Sequence, residues 1–257
     1  MKNDSLISRR SLLFAASAGM ATLFINGSAI AQTDRPRREG RGNRDGNRGN
    51  RAERGERVPP GFNNADFYDS NGKFLEEKAK DAVLEMCRYH RYPIFPKLRE
   101  NLYVTDYGIG EFTTVGLACV FFVNNVDGAY SYMMLDIYLL PNQMLAEHWH
   151  LVPEKTPNCA QKNEGWLVRH GRSYIVGEGE SNLPAEVVVP QCHAEGKVTV
   201  ENCVVADPGG FVPLGALGSH HWQLAGKEGA IITEVANAHD GASVRHLDPK
   251  ANAAFLD

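Results

Sequence analysis

The second half of the chain is a series of short β-rich segments separated by turn residues. Between about residues 112 and 236, runs rich in Val, Ile, Phe and Tyr alternate with Gly, Pro, Asn and Asp. Strands at this spacing, with no long helices between them, are typical of a β-sandwich or a β-barrel. We therefore predict an all-β domain. The expected strands lie near 112–124, 130–139, 143–149, 165–169, 173–178, 185–189, 197–205, 210–213, 220–225 and 229–236.

One amphipathic helix is predicted ahead of these strands, over residues 73–90. Its apolar residues recur at spacings of three and four, which places them on one face of a helix. Pro93 and Pro96 follow and are expected to end it. The residues of the apolar face are Phe74, Leu75, Ala79, Ala82, Val83 and Met86.

The N-terminal segment has the features of a targeting signal. Arg9 and Arg10 precede a short apolar stretch, and Ala29-Ile30-Ala31 offers a small-x-small cleavage site. This arrangement predicts a twin-arginine signal peptide over residues 1–31, recognised by the twin-arginine export machinery, and a periplasmic or otherwise extracytoplasmic location. A membrane anchor is the alternative, but Ser, Gly and Asn interrupt the stretch, which is barely long enough to span. No stable membrane span is expected after processing.

Residues 32–58 carry nine arginines, five acidic residues and almost nothing apolar. Such a segment cannot bury enough surface to offset its ordering entropy, so we expect a disordered linker. Residues 1–31 carry +2 and residues 32–58 carry +4, so a chain of net charge −4 leaves −10 on residues 59–257. A domain this acidic lacks the basic surface that nucleic acid requires and suits a neutral or cationic small ligand.

The five cysteines form no CxxC pair, which argues against a zinc–thiolate site. Export to an oxidising compartment permits disulfides. Cys192 and Cys203 flank an apparent turn and are the candidate pair. Cys119 stands in an apolar run and is predicted to be a buried thiol.

His148 and His150 are separated by one residue in a predicted strand. Side chains at i and i+2 of a strand point to one face, so both imidazoles can reach one ion. The pattern alone is equally typical of two solvent-facing histidines on an edge strand. Two further features follow in the chain: Glu164 and Gly171 separated by six residues, and then the segment Gly218–His221.

These residues resemble the two motifs of the cupin superfamily, His-x-His with Glu-x6-Gly, and then Gly-x2-His. The resemblance implies a jelly-roll barrel (a double-stranded β-helix) with an N-terminal helical extension over residues 59–257. It also implies one divalent metal ion, with four ligands: His148, His150, Glu164 and His221.

Two ligand assignments remain open at this point. The gap of thirteen residues between His150 and Glu164 is longer than is usual in the family, and Glu154 stands at the usual short spacing. Glu164 is preferred because it alone has a glycine at the motif distance. His220 adjoins His221, and the register of the following residues favours His221.

Three imidazoles and one carboxylate leave two positions open on an octahedral ion and suit manganese, iron, nickel or zinc. Raw affinity would favour copper or zinc over manganese. A twin-arginine substrate is exported already folded, so it could take up its metal in the cytoplasm, and on that hypothesis manganese is expected. Free exchange of the metal in the mature protein would contradict the hypothesis.

The flanking sequence resembles the D-lyxose isomerase (D-lyxose ketol-isomerase) family over about residues 73–250. The resemblance implies a metal-dependent aldose–ketose isomerase with a small sugar as substrate. The segments that carry it are Val104–Phe112, Val115–Leu117, Lys162–Glu164, Glu228–Ala230 and Thr233–Val235, together with Asp240, Arg245, Asp248 and Pro249.

Isomerisation by an enediol route needs a base to move a proton between C1 and C2, and a cation to stabilise the oxyanion. The resemblance implies that Lys162 and Glu234 are the proton-transfer pair, with the lysine shifted toward its neutral form beside the metal. The alternatives are a surface lysine at 162 and, at 234, a structural partner of Arg245. Arg245 and Trp222 are the residues predicted to bind the sugar.

Two other functions fit the same ligands. A cupin oxygenase would use them with dioxygen in the open positions, and a non-catalytic periplasmic protein would bind a sugar or a metal. Lys162 and Glu234 favour the isomerase because oxygen activation does not need such a pair. Many cupins dimerise, so the resemblance also favours a homodimer.

Overall fold

The computed structural model describes residues 58–154, 156 and 158–256. The predicted export signal, and the predicted linker apart from Val58, lie outside the described residues. Within the described part of the chain, no helix combines the length and the apolar character needed to span a membrane.

The described chain is mainly one curled antiparallel sheet with few helices, so the all-β prediction is confirmed. The strands run in the order β1-β2-β3-β8-β4-β9, and β5 pairs with β6, β7 and β8. The strands are β1 Tyr103–Thr105, β2 Leu117–Asn125, β3 Tyr132–Leu139, β4 Met144–His150, β5 Glu164–Gly177, β6 Asn202–Ala206, β7 Phe211–Pro213, β8 His221–Ala236 and β9 Val244–His246. The α-helices are α1 Glu76–His90, α2 Leu98–Asn101 and α3 Pro249–Leu256.

Strand β8 is the centre of the sheet. On one side its first residues pair with β4 and its later residues with β3. On the other side β5 pairs with it along most of its length. The sequence predicted two strands in place of β5 and two in place of β8. Each pair is one strand, because the glycines that suggested turns, Gly171 and Gly229, lie at an irregularity in the β5–β8 ladder and do not end it.

Other strand predictions differ from the structure at their ends. The segment 185–189 is not a strand, because Pro184 and Pro190 border it and proline cannot donate to a ladder. The predicted strand 197–205 shortens to β6, and residues 112–116 form turns ahead of β2. Helix α3 and the three-residue strands β1 and β9 were not predicted; the two strands are too short to show a period.

Helix α1 confirms the predicted helix, with its start moved from 73 to Glu76. It ends where Arg91 adopts a left-handed conformation, two residues before Pro93. Its buried face packs against the outside of the sheet, on Phe112, Tyr138 and other buried apolar side chains. The helix therefore covers one face of the sheet and leaves the concave face free for a cavity.

All five cysteines are free thiols, so the predicted Cys192–Cys203 disulfide is wrong. Cys203 is buried in a hydrophobic cluster, and Cys192 packs against the same cluster without a bond between them. The prediction that Cys119 is a buried thiol is confirmed.

Gly171 tests the contact between the two longest strands. Its φ of 68° is left-handed, and a Cβ at this position would overlap the carbonyl oxygen of Gly229 on β8. We expect Gly171→Ala to lower the free energy of unfolding by roughly 2–5 kcal/mol, from the left-handed conformation and the overlap together. Denaturant unfolding followed by circular dichroism measures the change. Gly215→Ala is the control, because a Cβ there meets nothing within 4 Å. Equal stability of the two variants would contradict this account of Gly171.

Candidate metal centre and cavity

Cross-strand register brings the sequence-predicted histidines together. His148 and His150 occupy alternate positions on β4, and His148 lies directly opposite His221, the first residue of β8. On the other edge of β4, His148 lies opposite His246 of β9. The imidazoles of four strand residues therefore face the same side of the sheet.

Glu164 and His221, the later residues of the two motifs, are each the first residue of a strand. Glu164 opens β5 and pairs with Ala236 near the end of β8. His221 follows a turn in which Gly218 has a φ of 74°. A Cβ on Gly218 would lie 2.8 Å from the side-chain nitrogen Nε2 of Gln161. The glycine of the Gly-x2-His pattern is thus needed for the turn that delivers His221 into β8.

The four residues form one compact cluster. Ring nitrogens of His148, His150 and His221 all lie within 4.8 Å of one another, a grouping that could hold a metal ion. Glu164 Oε1 lies 3.0 Å from His150 Nε2 and 3.3 Å from His221 Nε2. His150, His221 and Glu164 are buried, and His148 is partly buried.

The structure separates the open ligand assignments. Glu154 is exposed in the loop after β4, whereas Glu164 is buried in the cluster. His220 points away from the cluster: its ring stacks on Trp149 with centroids 4.1 Å apart, and its Nδ1 lies 2.9 Å from Glu147 Oε1. His221 is the member of the doublet that faces the other ligands.

Two contacts orient the imidazoles toward a shared point. His148 Nδ1 lies 2.9 Å from the Ala146 carbonyl oxygen, and His221 Nδ1 lies 3.0 Å from that of Ser219. A ring whose Nδ1–H donates to a carbonyl presents the lone pair of Nε2 to a ligand. Burial, then the neighbouring His221 and His150, holds the pKa of His148 well below its ordinary value. Burial also lowers the pKa of His150, to about 4.

Unsatisfied buried atoms mark the same point. The Nε2 atoms of His150 and His221 and the Oε1 atom of Glu164 are buried and converge without a hydrogen bond among the described residues, whereas Glu164 Oε2 lies 2.7 Å from the Lys162 ammonium. Buried polar groups are nearly always satisfied, so a convergent set of orphan nitrogen and oxygen atoms needs another partner. Neutral imidazoles and one carboxylate are a donor set that suits a divalent transition metal, so the residues fit such an ion.

Lys162 and Glu234 form a buried ion pair next to this cluster. Lys162 Nζ lies 2.6 Å from Glu234 Oε1 and 2.7 Å from Glu164 Oε2. Trp166 Nε1 donates to Glu234 Oε2 at 3.2 Å. Lys162 is buried and is therefore not a surface lysine. Glu234 bonds to Lys162 and Arg245 bonds to backbone carbonyls, so among the described residues these two side chains are not hydrogen-bonded to each other.

The backbone around Lys162 is fixed by one side chain. Asn237 donates from Nδ2 to the Gln161 carbonyl at 3.0 Å and accepts from the Asn163 amide at 2.9 Å. Gln161 in turn donates to the His150 carbonyl at 2.8 Å. The end of the long loop is therefore held against both β4 and the end of β8, and this holds Lys162 in the interior.

Two neighbouring carboxylates set the direction in which the pKa of Lys162 shifts. Burial alone favours the neutral amine, but Glu164 and Glu234 outweigh it and raise the pKa of Lys162 above its ordinary value. Burial likewise favours a neutral Glu164, but Lys162 and the two histidines hold its pKa well below the ordinary value. Burial raises the pKa of Glu234 to about 7, with Lys162 opposing the shift and Glu164 adding to it. The expectation that Lys162 shifts toward its neutral form applies to the site with its metal ion and stays a prediction, and the two carboxylates beside the lysine oppose that shift.

A cavity of about 250 Å³ opens beside the cluster. This is below the roughly 300–1,000 Å³ of pockets for drug-sized ligands, so its size suits a small molecule. The wall formed by β2 and β3 is apolar, and the polar groups come from β1, β4, β8, β9 and the loops. The lining residues are Tyr103, Tyr107, Leu117, Cys119, Phe121, Leu135, Ile137, Leu145, His148, His150, Lys162, Glu234, His239, Val244 and His246.

The two residues predicted to bind substrate do not line this cavity. Trp222 is fully buried in a hydrophobic cluster, where its Nε1 donates to the Val200 carbonyl at 3.0 Å. Arg245 alternates with the inward-facing Val244 and His246 on β9, and its guanidinium donates to the carbonyls of Ala242 and Val244. Strand alternation turns Arg245 to the opposite face.

His239 and His246 are cavity residues that the sequence analysis missed. Both lie beyond residue 236, where no strand was predicted. The three residues of β9 are too few to show a strand period, so its inward face becomes visible only from its pairing with β4. Burial, then Lys162 and His150, lowers the pKa of His239 well below its ordinary value, so this imidazole is neutral.

Comparisons with known proteins agree with this architecture. No family model matches the chain. The D-lyxose ketol-isomerase of Cohnella laeviribosi is 30% identical over 173 residues, which cover 67% of this chain and 90% of that protein. The D-lyxose/D-mannose isomerase of Thermosediminibacter oceani is 29% identical over 181 residues, covering 70% of this chain and 93% of that protein.

Solved structures show the same fold at low identity. The L-ribose isomerase of Acinetobacter sp. DL28, in complex with L-ribose, superposes with a TM-score of 0.51 at 13% identity, covering 74% of this chain and 96% of that one. The L-ribose isomerase of Cellulomonas parahominis with L-psicose gives 0.50 at 12%, with the same coverage. The likeness confirms the predicted cupin-type jelly roll.

The histidine doublet gives a matched test of the metal centre. We expect His221→Ala to weaken the binding of added Mn²⁺ at least tenfold, because one convergent nitrogen is lost. His220→Ala should bind Mn²⁺ within about threefold of the unaltered protein, since that ring faces Trp149 and Glu147. Titration calorimetry on metal-stripped protein measures both affinities. An equal loss in the two variants would mean that the affinity depends on general stability and not on His221 as a ligand.

Proposed function

The chain belongs to the D-lyxose ketol-isomerase family, and from that premise we propose that it is a metal-dependent aldose–ketose isomerase acting on a monosaccharide. The observation that carries the proposal is the buried Lys162–Glu234 pair, which lies beside the three-histidine, one-glutamate cluster and lines the same small cavity. A reaction that moves one proton between adjacent carbons needs a positioned base, and a cation beside it stabilises the charge that develops on the substrate oxygens.

The proposed cofactor is one divalent ion, preferably Mn²⁺, held by His148, His150, Glu164 and His221. The ion would supply positive charge where the substrate oxygens on C1 and C2 become negative. Support comes from the orphan nitrogen and oxygen atoms of the cluster and from the mixed donor set. Hard oxygen donors of a sugar and borderline imidazoles are both acceptable to Mn²⁺.

Glu234 is the proposed proton carrier. Its carboxylate takes the proton from C2 of the aldose and returns it to C1, while the proton of the C2 hydroxyl passes to O1, so that the formula of the sugar is unchanged. A carboxyl group whose pKa is raised to about 7 is matched to both halves of this transfer at neutral pH. Trp166 holds the second oxygen of Glu234 and so fixes the orientation of the carboxyl group.

Lys162 is proposed to act as a fixed cation. Its ammonium group touches both Glu164 and Glu234, and in the loaded cavity it donates to a substrate oxygen that gains charge during the transfer. Asn237 clamps the neighbouring backbone, so the lysine is held in place before substrate arrives. Burial of the pair excludes water, which protects the transferred proton from exchange.

Incubation of Mn²⁺-loaded protein with a panel of aldoses and ketoses, under anaerobic conditions, tests the activity. We expect interconversion of at least one aldose–ketose pair, with D-lyxose and D-mannose the first sugars to try. Loss of turnover after chelation and its return with Mn²⁺ would support the role of the metal. A strict requirement for oxygen would favour the oxygenase, and sugar binding without turnover would favour a binding protein; either result contradicts the isomerase.

Substitution of the ion pair tests the proton-transfer assignment. We expect Glu234→Gln and Lys162→Ala each to lower kcat by at least a hundredfold, because a proton carrier or a fixed cation is removed. Glu228→Gln and Lys227→Ala are matched controls, since both side chains are exposed on the same strand β8. Initial rates at saturating substrate measure the effect. Full activity of Glu234→Gln would show that Glu234 does not carry the proton, and full activity of Lys162→Ala would show that the reaction does not depend on a fixed cation at this position.

A further inference from the structure

The cavity contains a polar group that the proposed chemistry leaves without a role. His239 lies in the segment after β8 and lines the cavity, and its Nδ1 is buried without a hydrogen-bond partner among the described residues. A buried orphan nitrogen in a pocket is costly unless a ligand satisfies it. His239 is not a member of the compact histidine grouping that could hold the metal.

The position of His239 is fixed by its surroundings. Its amide donates to Asn124 Oδ1 at 2.9 Å, and its carbonyl accepts from Asn124 Nδ2 at 2.9 Å. Its ring centroid lies 5.3 Å from that of Phe121 on β2 and 6.4 Å from that of His150, which it meets in an edge-on arrangement. The side chain is thus placed between the metal centre and the apolar wall, before any ligand binds.

The apolar wall makes this nitrogen distinctive. The cavity residues of β2 and β3 are Leu117, Cys119, Phe121, Leu135 and Ile137, which offer a sugar no strong hydrogen-bonding group. Two other polar rings of the cavity lie near His148. The ring centroid of His246 is 5.2 Å from that of Tyr107 and 5.7 Å from that of His148. His239 brings a polar ring against this apolar wall, in contact with Phe121.

From this geometry we propose that the His239 imidazole binds one hydroxyl group of the sugar, away from C1 and C2, and so selects sugars that carry a hydroxyl at that carbon. This inference rests on the proposed function for the identity of the ligand. A site that satisfies a substrate hydroxyl discriminates strongly against analogues that lack it, because the buried protein group is then left unpaired. Next to an apolar wall, a single such contact sets which hydroxyl is read.

Two substitutions separate the nitrogen from the ring. His239→Phe keeps an aromatic ring against Phe121 and removes both nitrogens, and His239→Asn keeps a polar atom near the Nδ1 position. We expect His239→Phe to lower kcat/KM roughly 10- to 100-fold, mainly through KM, because the contact is the same in the ground and transition states. His239→Asn should recover most of that loss. His170→Phe is the control, since that ring packs on His90 and Tyr92 and does not line the cavity.

A panel of monodeoxy sugars identifies the hydroxyl. For the best substrate of the unaltered enzyme, removal of one hydroxyl should cost at least tenfold in kcat/KM, and that penalty should disappear in His239→Phe. Penalties that are unchanged in His239→Phe at every carbon would overturn the inference. If Phe at this position reduces the folded fraction in circular dichroism, His239→Leu provides the same removal with a smaller side chain.

Binding measurements separate failure of this inference from failure of the proposed function. D-Arabinitol, which has no carbonyl group to isomerise, is titrated calorimetrically into the metal-loaded proteins. If the unaltered protein binds D-arabinitol but turns over no sugar, the isomerase proposal fails. The dissociation constants for D-arabinitol then test the role of His239. Binding at least tenfold weaker in His239→Phe than in the unaltered protein supports a contact between His239 and a hydroxyl group, and equal binding overturns the inference.

Discussion

Backbone pairing of β8 with three neighbours is the interaction on which the site depends. The start of β8 pairs with β4, which sets His221 opposite His148, and its end pairs with β3 and β5, which sets Glu234 near Lys162. His221 and Glu234 therefore stand on one continuous strand, about a dozen residues apart. A shift of one residue in this register would turn each of these side chains to the other face.

Burial gives the same residues their chemical character. Low dielectric would expel isolated charges, yet Glu164, Lys162 and Glu234 are kept inside by contact with one another. The same burial has a different effect on the histidines. It lowers the pKa of His148 and His150, which favours neutral rings that present lone pairs. One environment thus provides anionic, cationic and neutral groups within a few ångströms, which is what ion binding and proton transfer both require.

Local patterns in the sequence identified the parts of the site that a strand or a tight turn determines. The alternation of His148 and His150 and the turn glycine at 218 reflect short-range geometry, so the placement of these residues could be predicted before the fold was known. Trp222 and Arg245 were misplaced because the inward face of a strand depends on register with distant neighbours. His239 was missed because Asn124, more than a hundred residues away, fixes its position. Long-range contacts of this kind leave no period in the chain.

The long loop before Glu164 has a consequence for how such a protein can change. Its final residues are tied to His150 and Asn237, so the chain between those ties can grow or shrink without moving Lys162 or Glu164. Closing a longer loop costs little, since each doubling of length adds only about 0.6 kcal/mol. Variation in this stretch is thus mechanically uncoupled from the candidate metal centre. Lineages could remodel the rim of the barrel, and with it the molecules admitted, while the machinery beneath it stayed intact.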